Sequence, residues 1–220
     1  MGTRTLLHVL LGVALFAVWG CEQTARPVNT TATSSTLATD RTEAQLLSEL
    51  DVKYENPQAH YELAQLYHKS QNWLKADFHY SRAISFDPAF RAAQASQIKM
   101  FIDRGETAKA EQFANGYIRD TVGSISEMLR LGWEFEQVGL DTYALRCYRQ
   151  ALDAAPDSAE ANRQIGFYYL TRNDRDQAKQ YLMRSFELNP RQPDVAGALG
   201  RLGVVVEAPV QPEPMTTAPK

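Results

Sequence analysis

The feature that most constrains this chain is a spacing. Pro88, Pro156 and Pro190 stand 68 and 34 residues apart, as a 34-residue period with one proline missing would place them. Four windows on that period, 57–90, 91–124, 125–158 and 159–192, align without gaps. Leu63, Gln97, Leu131 and Ile165 share one column, and Ala64, Ile98, Gly132 and Gly166 the next. Three residues on, Tyr67, Phe101, Phe135 and Tyr169 are all aromatic, and Ala76, Ala110, Ala144 and Ala178 form a column of alanine alone. Then come Tyr80, Ala114, Tyr148 and Leu182, followed by Ala83, Tyr117, Ala151 and Ser185. A period of this length signals stacked supersecondary units, because one unit cannot bury its apolar face alone. Each window divides into two helical stretches about a turn near Asn72, Gly105, Gly139 or Asn173. Proline then breaks the chain before the next window, since it cannot continue a helix.

This order of large residue, small residue, aromatic, alanine, aromatic, small residue and proline resembles the tetratricopeptide repeat. The third window, ISEMLRLGWEFEQVGLDTYALRCYRQALDAAPDS, follows the pattern best. The resemblance implies an all-α superhelix, an α-solenoid of four helix pairs plus N- and C-terminal capping helices. The second window deviates: Gln97 replaces an apolar residue, Ala114 and Tyr117 exchange small for large, and Val122 stands in place of proline. Compensated repacking and a softer joint that shapes a partner site are both open. Leu46, Leu47 and Leu50 recur at helical spacing and predict a capping helix within 41–56. Pro193-Asp194 opens a second capping helix over 193–204, where Leu199-Gly200 falls on the Leu-Gly column of a fifth window. Residues 205–220 are proline-rich and hold no core-forming run, which predicts a disordered tail.

The N-terminus reads as an address. Residues 6–20, LLHVLLGVALFAVWG, are too short for an ordinary membrane span but suit a signal-peptide core, with Arg4 ahead of them. The stretch ends VWGC, which resembles the lipobox of bacterial lipoproteins, although Trp19 stands where that family usually has a small residue. The resemblance implies cleavage of 1–20, lipidation of Cys21 and a periplasm-facing, membrane-anchored protein. Glu22 rather than Asp after the cysteine favours outer-membrane sorting in that family. A plain secretory signal and an uncleaved anchor remain as alternatives. Residues 21–40 carry six Thr and two Ser with few large apolar residues, a composition that predicts a flexible tether.

Chemistry is sparse. The net charge of −3 argues against a nucleic-acid binder, and the array itself holds 17 acidic and 17 basic residues. No HExxH, Walker, GxSxG or GxGxxG motif occurs. His60, His68 and His79 read as solvated or packing residues, and Cys147 as a buried core thiol. These observations predict no enzyme, no cofactor, no metal and no small-molecule substrate; an enzyme with a dispersed site is the remote alternative. The family resemblance implies a concave face lined by the first helix of each pair, binding protein or peptide. Its outward positions carry over to Tyr61, Gln65 and His68, to Lys99, Ile102 and Asp103, to Leu129, Trp133 and Glu136, and to Arg163, Phe167 and Leu170. Trp133 and Phe167, one period apart, are expected side by side, either open to a partner or packed on a flanking segment. The whole arrangement resembles repeat lipoproteins of pilus biogenesis and secretin assembly; an adaptor for peptidoglycan enzymes or envelope proteases shares it.

Overall fold

The computed structural model describes residues 41–206. The signal segment, Cys21, the tether and all but the first two residues of the proline-rich tail lie outside them. Ten helices and no strand occur among the described residues. They are α1 (Glu43–Val52), α2 (Pro57–Lys69), α3 (Trp73–Phe86), α4 (Arg91–Asp103), α5 (Thr107–Asp120), α6 (Ile125–Gln137), α7 (Asp141–Ala154), α8 (Ala159–Thr171), α9 (Arg175–Leu188) and α10 (Pro193–Arg201). None of the described helices is long and apolar enough to cross a membrane.

Local signals fix the helix ends. Thr42 and Gln45 close a capping box at the start of α1. Asn56 accepts from the Gln58 and Ala59 amides, with Pro57 in the first turn of α2. Ser124, Ser158 and Asp174 cap α6, α8 and α9 through their side chains. The turn inside each window depends on one left-handed residue, and those residues keep the period: Gln71, Gly105, Gly139 and Asn173. In the first window this residue is Gln71 (φ 59°), one position before the expected Asn72. A β-carbon is disfavoured there by about 1 kcal/mol or more. Gln71→Gly is therefore expected to raise stability by about 0.5 kcal/mol, after the added unfolded-state entropy, and Gly139→Ala to lower it by about 1 kcal/mol. Urea denaturation of the two variants checks the opposite signs.

Within each window the two helices pack against each other: α2 on α3, α4 on α5, α6 on α7 and α8 on α9. The first helices also meet one another, α4 touching both α2 and α6, and α6 touching α8. The small column makes the close approach possible. A β-carbon on Gly132 would lie 2.6 Å from the Tyr148 ring, and one on Gly166 would lie 2.7 Å from the Leu182 side chain. The matching positions of the first window are Ala64 and Tyr80, both buried.

In the second window the sizes are inverted, with Ile98 and Ala114 both fully buried. A second exchange accompanies the first. Tyr117 replaces a small residue on α5, and its hydroxyl donates to Gln97 Oε1 at 2.5 Å. The Gln97 amide in turn donates to Asp77 Oδ1 and Ser81 Oγ, each at 3.0 Å. The buried amide is thus satisfied on both sides, which removes the main cost of a polar group in a core. These paired changes are compensated repacking. Val122, in the proline column, is exposed beside Gly123, whose φ of 100° makes the bend that proline makes elsewhere. The described residues close, on the C-terminal side, in a smaller apolar cluster, where Val195, Ala198 and Leu199 of α10 cover Leu182.

Candidate partner-binding face

The first helices α2, α4, α6 and α8 carry the candidate residues, and the structure divides these into three groups. The first group surrounds a groove of about 290 Å³ lined by Gln65, His68, Lys69, Tyr80, Ser96, Lys99 and Val138. Tyr61 stands beside it, half-buried, with its ring 4.9 Å from Phe90 and its hydroxyl accepting from the Gln65 amide at 2.8 Å. Burial pushes the Tyr61 phenol up, and the Glu134 carboxylate adds to that. His68 bridges two elements: Nδ1 lies 3.3 Å from the Tyr80 hydroxyl and Nε2 3.0 Å from Asp103 Oδ2. Lys99 holds the other Asp103 oxygen. Burial works against the charge on Asp103, but the bonds from Lys99 and His68 keep its carboxyl below the usual range.

The second group belongs to α6. Trp133 stays 45% exposed. Leu129, at 5% exposed, is core and offers no surface to a partner. Its position faces inward because α6 packs directly on α4 at this joint. Ile102 of α4 packs partly against the same core. Glu136 links repeats: it accepts from the Tyr148 hydroxyl at 2.9 Å and from Arg172 at 3.1 Å.

The third group is tied to the C-terminal cap. Arg163 lies over the Phe167 ring at 5.3 Å and pairs with Asp194 of α10 at 2.5 Å. Phe167 and Leu170 pack on the cluster around Val195 and Leu199. Phe167 is therefore packed on a flanking segment, one of the two outcomes expected for this pair, whereas Trp133 is open.

Four residues of the groove, Lys69, Tyr80, Ser96 and Val138, lie outside the candidate positions that the repeat pattern supplies. Lys69 follows Gln65 by four residues, so the helical period could have supplied it. Val138 enters only because the end of α6 approaches α2 and α4, which no local pattern announces. Glu134 lies outside those positions too; it is half-buried, and burial pushes its carboxyl up.

Three further titratable groups, His60, His79 and Cys147, are internal. His60 and His79 come together, with their Nδ1 atoms 2.9 Å apart, and His60 Nε2 donates to the Tyr54 carbonyl at 2.9 Å. Cys147 is fully buried, and burial pushes its thiol up to about 12, far from a reactive thiolate. No group of three or more His, Cys, Asp or Glu side chains placed to hold a metal occurs among the described residues.

The family model of the tetratricopeptide repeat matches residues 159–192, the fourth window rather than the third. No curated protein matches the chain. Similar solved structures include that of MamA, 14% identical, covering 66% of this chain and 80% of that one with a TM-score of 0.39. YrrB, described as a tetratricopeptide-repeat protein with an unusual peptide-binding site, is 16% identical, with 71% and 81% covered and a TM-score of 0.37. PilF of Pseudomonas aeruginosa is 21% identical, with 66% and 67% covered and a TM-score of 0.37. Four helix pairs on a 34-residue period and small-against-large contacts at the repeat's own columns give this chain the fold of a tetratricopeptide-repeat solenoid, and one of its four windows matches the family's repeat.

Proposed function

We propose that this protein is a lipid-anchored adaptor of the bacterial envelope, facing the periplasm, that binds a protein or peptide partner on the face formed by its first helices. The observation that carries the binding role is Trp133. A large aromatic left 45% exposed on that face is the kind of residue that dominates interfaces. The anchoring rests on the sequence VWGC at the end of a signal-like apolar run, with Cys21 as the lipidated residue. The combination of anchor, Thr-rich spacer and repeats fits assembly of an envelope machine such as a type IV-like pilus or secretion system, with the outer membrane as the site.

Two substitutions test the two halves. Cys21→Ala is expected to remove acylation and move the protein from the membrane to the soluble fraction. Unchanged membrane association ends the lipoprotein reading. Trp133→Ala is expected to weaken partner recovery from a crosslinked envelope by about tenfold or more, with helicity unchanged. Equal recovery removes Trp133 from the interface. The identity of the recovered partner decides the pathway: secretin or pilus components support it, and wall hydrolases or proteases replace it.

A further inference from the structure

The adaptor reading leaves the partner's chemistry open, and the groove between α2 and α4 narrows it. Its lining is uneven in charge. The ionisable side chains facing it with a positive or potentially positive charge are His68, Lys69 and Lys99, and no carboxylate lines it. Gln65 and Ser96 add an amide and a hydroxyl that can donate hydrogen bonds. Lys69 is exposed and forms no ion pair among the described residues. The counter-charge comes from the rim. Asp103, at the end of α4, reaches back with one oxygen on Lys99 and the other 3.0 Å from His68 Nε2. The Asp103 side chain is itself a third exposed, so its carboxylate is held by two side chains yet open to exchange with solvent. Glu134, on α6, is close enough to raise the Tyr61 phenol.

Resting on the adaptor reading, we infer that this groove takes an acidic side chain of an extended partner segment, and that Asp103 is its built-in competitor. The incoming carboxylate takes the place of Asp103 between Lys99 and His68, while Lys69 offers a second cation that Asp103 does not use. No charge is stranded in the exchange, because the displaced Asp103 turns to water. Partly exposed ion pairs of this kind are individually weak, so the groove selects acidic over neutral segments by a modest factor that falls with salt.

The test uses the full chain purified in detergent micelles. The probe is a fluorescein-labelled ten-residue Gly-Ser peptide containing two Asp-Glu pairs, compared by anisotropy with its Asn-Gln counterpart. The acidic peptide is expected to bind about tenfold more tightly at low salt. Lys69→Glu with Lys99→Glu is expected to abolish that difference. Asp103→Asn, which keeps the side-chain shape, is expected to tighten the acidic peptide severalfold and leave the amide peptide unchanged. Circular dichroism checks that each variant stays folded. Equal binding of the two peptides, or an Asp103→Asn variant that leaves acidic binding unchanged or weaker, overturns the inference. If that happens while crosslinked partner recovery still depends on Trp133, the adaptor reading stands without the acidic groove. Loss of both removes the adaptor reading as well.

Discussion

Gly132→Ala is expected to lower the unfolding free energy by about 2 kcal/mol, a large effect for one methyl group. The added β-carbon meets Tyr148 Cε1 at 2.6 Å and Cδ1 at 2.7 Å, with Cys147 Cβ at 3.0 Å behind them. Tyr148 cannot swing aside cheaply. Its ring is fully buried, its hydroxyl donates to Glu136, and its edge meets Tyr168 at a centroid distance of 6.0 Å. Relief must come from separating α6 and α7, which opens space along the whole contact. The first window, with Ala64 at this position, shows that a methyl is tolerated only where the pair is built around it. The control is Gly116→Ala on α5, where nothing lies within 4 Å of the new β-carbon. There helix propensity favours alanine by about 1 kcal/mol, so the sign should reverse. Urea denaturation measures both. A loss at Gly132 no larger than about 0.5 kcal/mol would show that the helix pair yields without resistance, and the close approach would not be what fixes this column.

The same columns explain what could be read in advance. A solenoid's contacts are between neighbours, so a period in sequence is already a period in space. Gly132 opposite Tyr148 and Gly166 opposite Leu182 are visible as columns because every repeat solves one packing problem. The second window looked like a departure for the same reason. Gln97 alone is unfavourable and Tyr117 alone is oversized; only their hydrogen bond, between residues 20 apart, makes them one substitution. The binding face was less legible. Column logic treats every first helix alike, but Leu129 turns inward where α6 meets α4, and Phe167 and Leu170 are taken up by α10. Position within a repeat gives the direction of a side chain, while the end effects of a short array decide whether anything else already covers it.

The buried histidine pair yields the second large effect, because two ordinary-looking residues 19 apart in sequence share one proton arrangement. The Tyr54 carbonyl can only accept, so His60 carries its proton on Nε2 and offers Nδ1 as an acceptor. His79 must then donate from Nδ1 and keep Nε2 free. Tyr67 stacks on the His79 ring and donates its own hydroxyl to Glu43, which fastens α1 to the pair. Burial first, then His60 and Lys75, pull the His79 imidazole down to about 4, against a smaller opposing pull from Glu43. Burial and Arg82 also lower His60, opposed by its bond to the Tyr54 carbonyl. Both rings are thus held neutral. Between pH 6.5 and about 4 the unfolded chain binds a proton that folded His79 refuses. Stability is therefore fully present above pH 6.5 and is lost as the pH falls toward 4. The loss between pH 7 and pH 5 is expected to be about 2 kcal/mol. His79→Gln can place an amide donor against His60 Nδ1 and cannot titrate, so its unfolding free energy should change much less over that interval. An equally steep dependence in this variant would sink the assignment to His79. Hydrogen exchange adds the location: acidification should release the amides of α1 and the start of α2 before those of α6 to α9, because the pair joins only α2, α3 and the segment ahead of them.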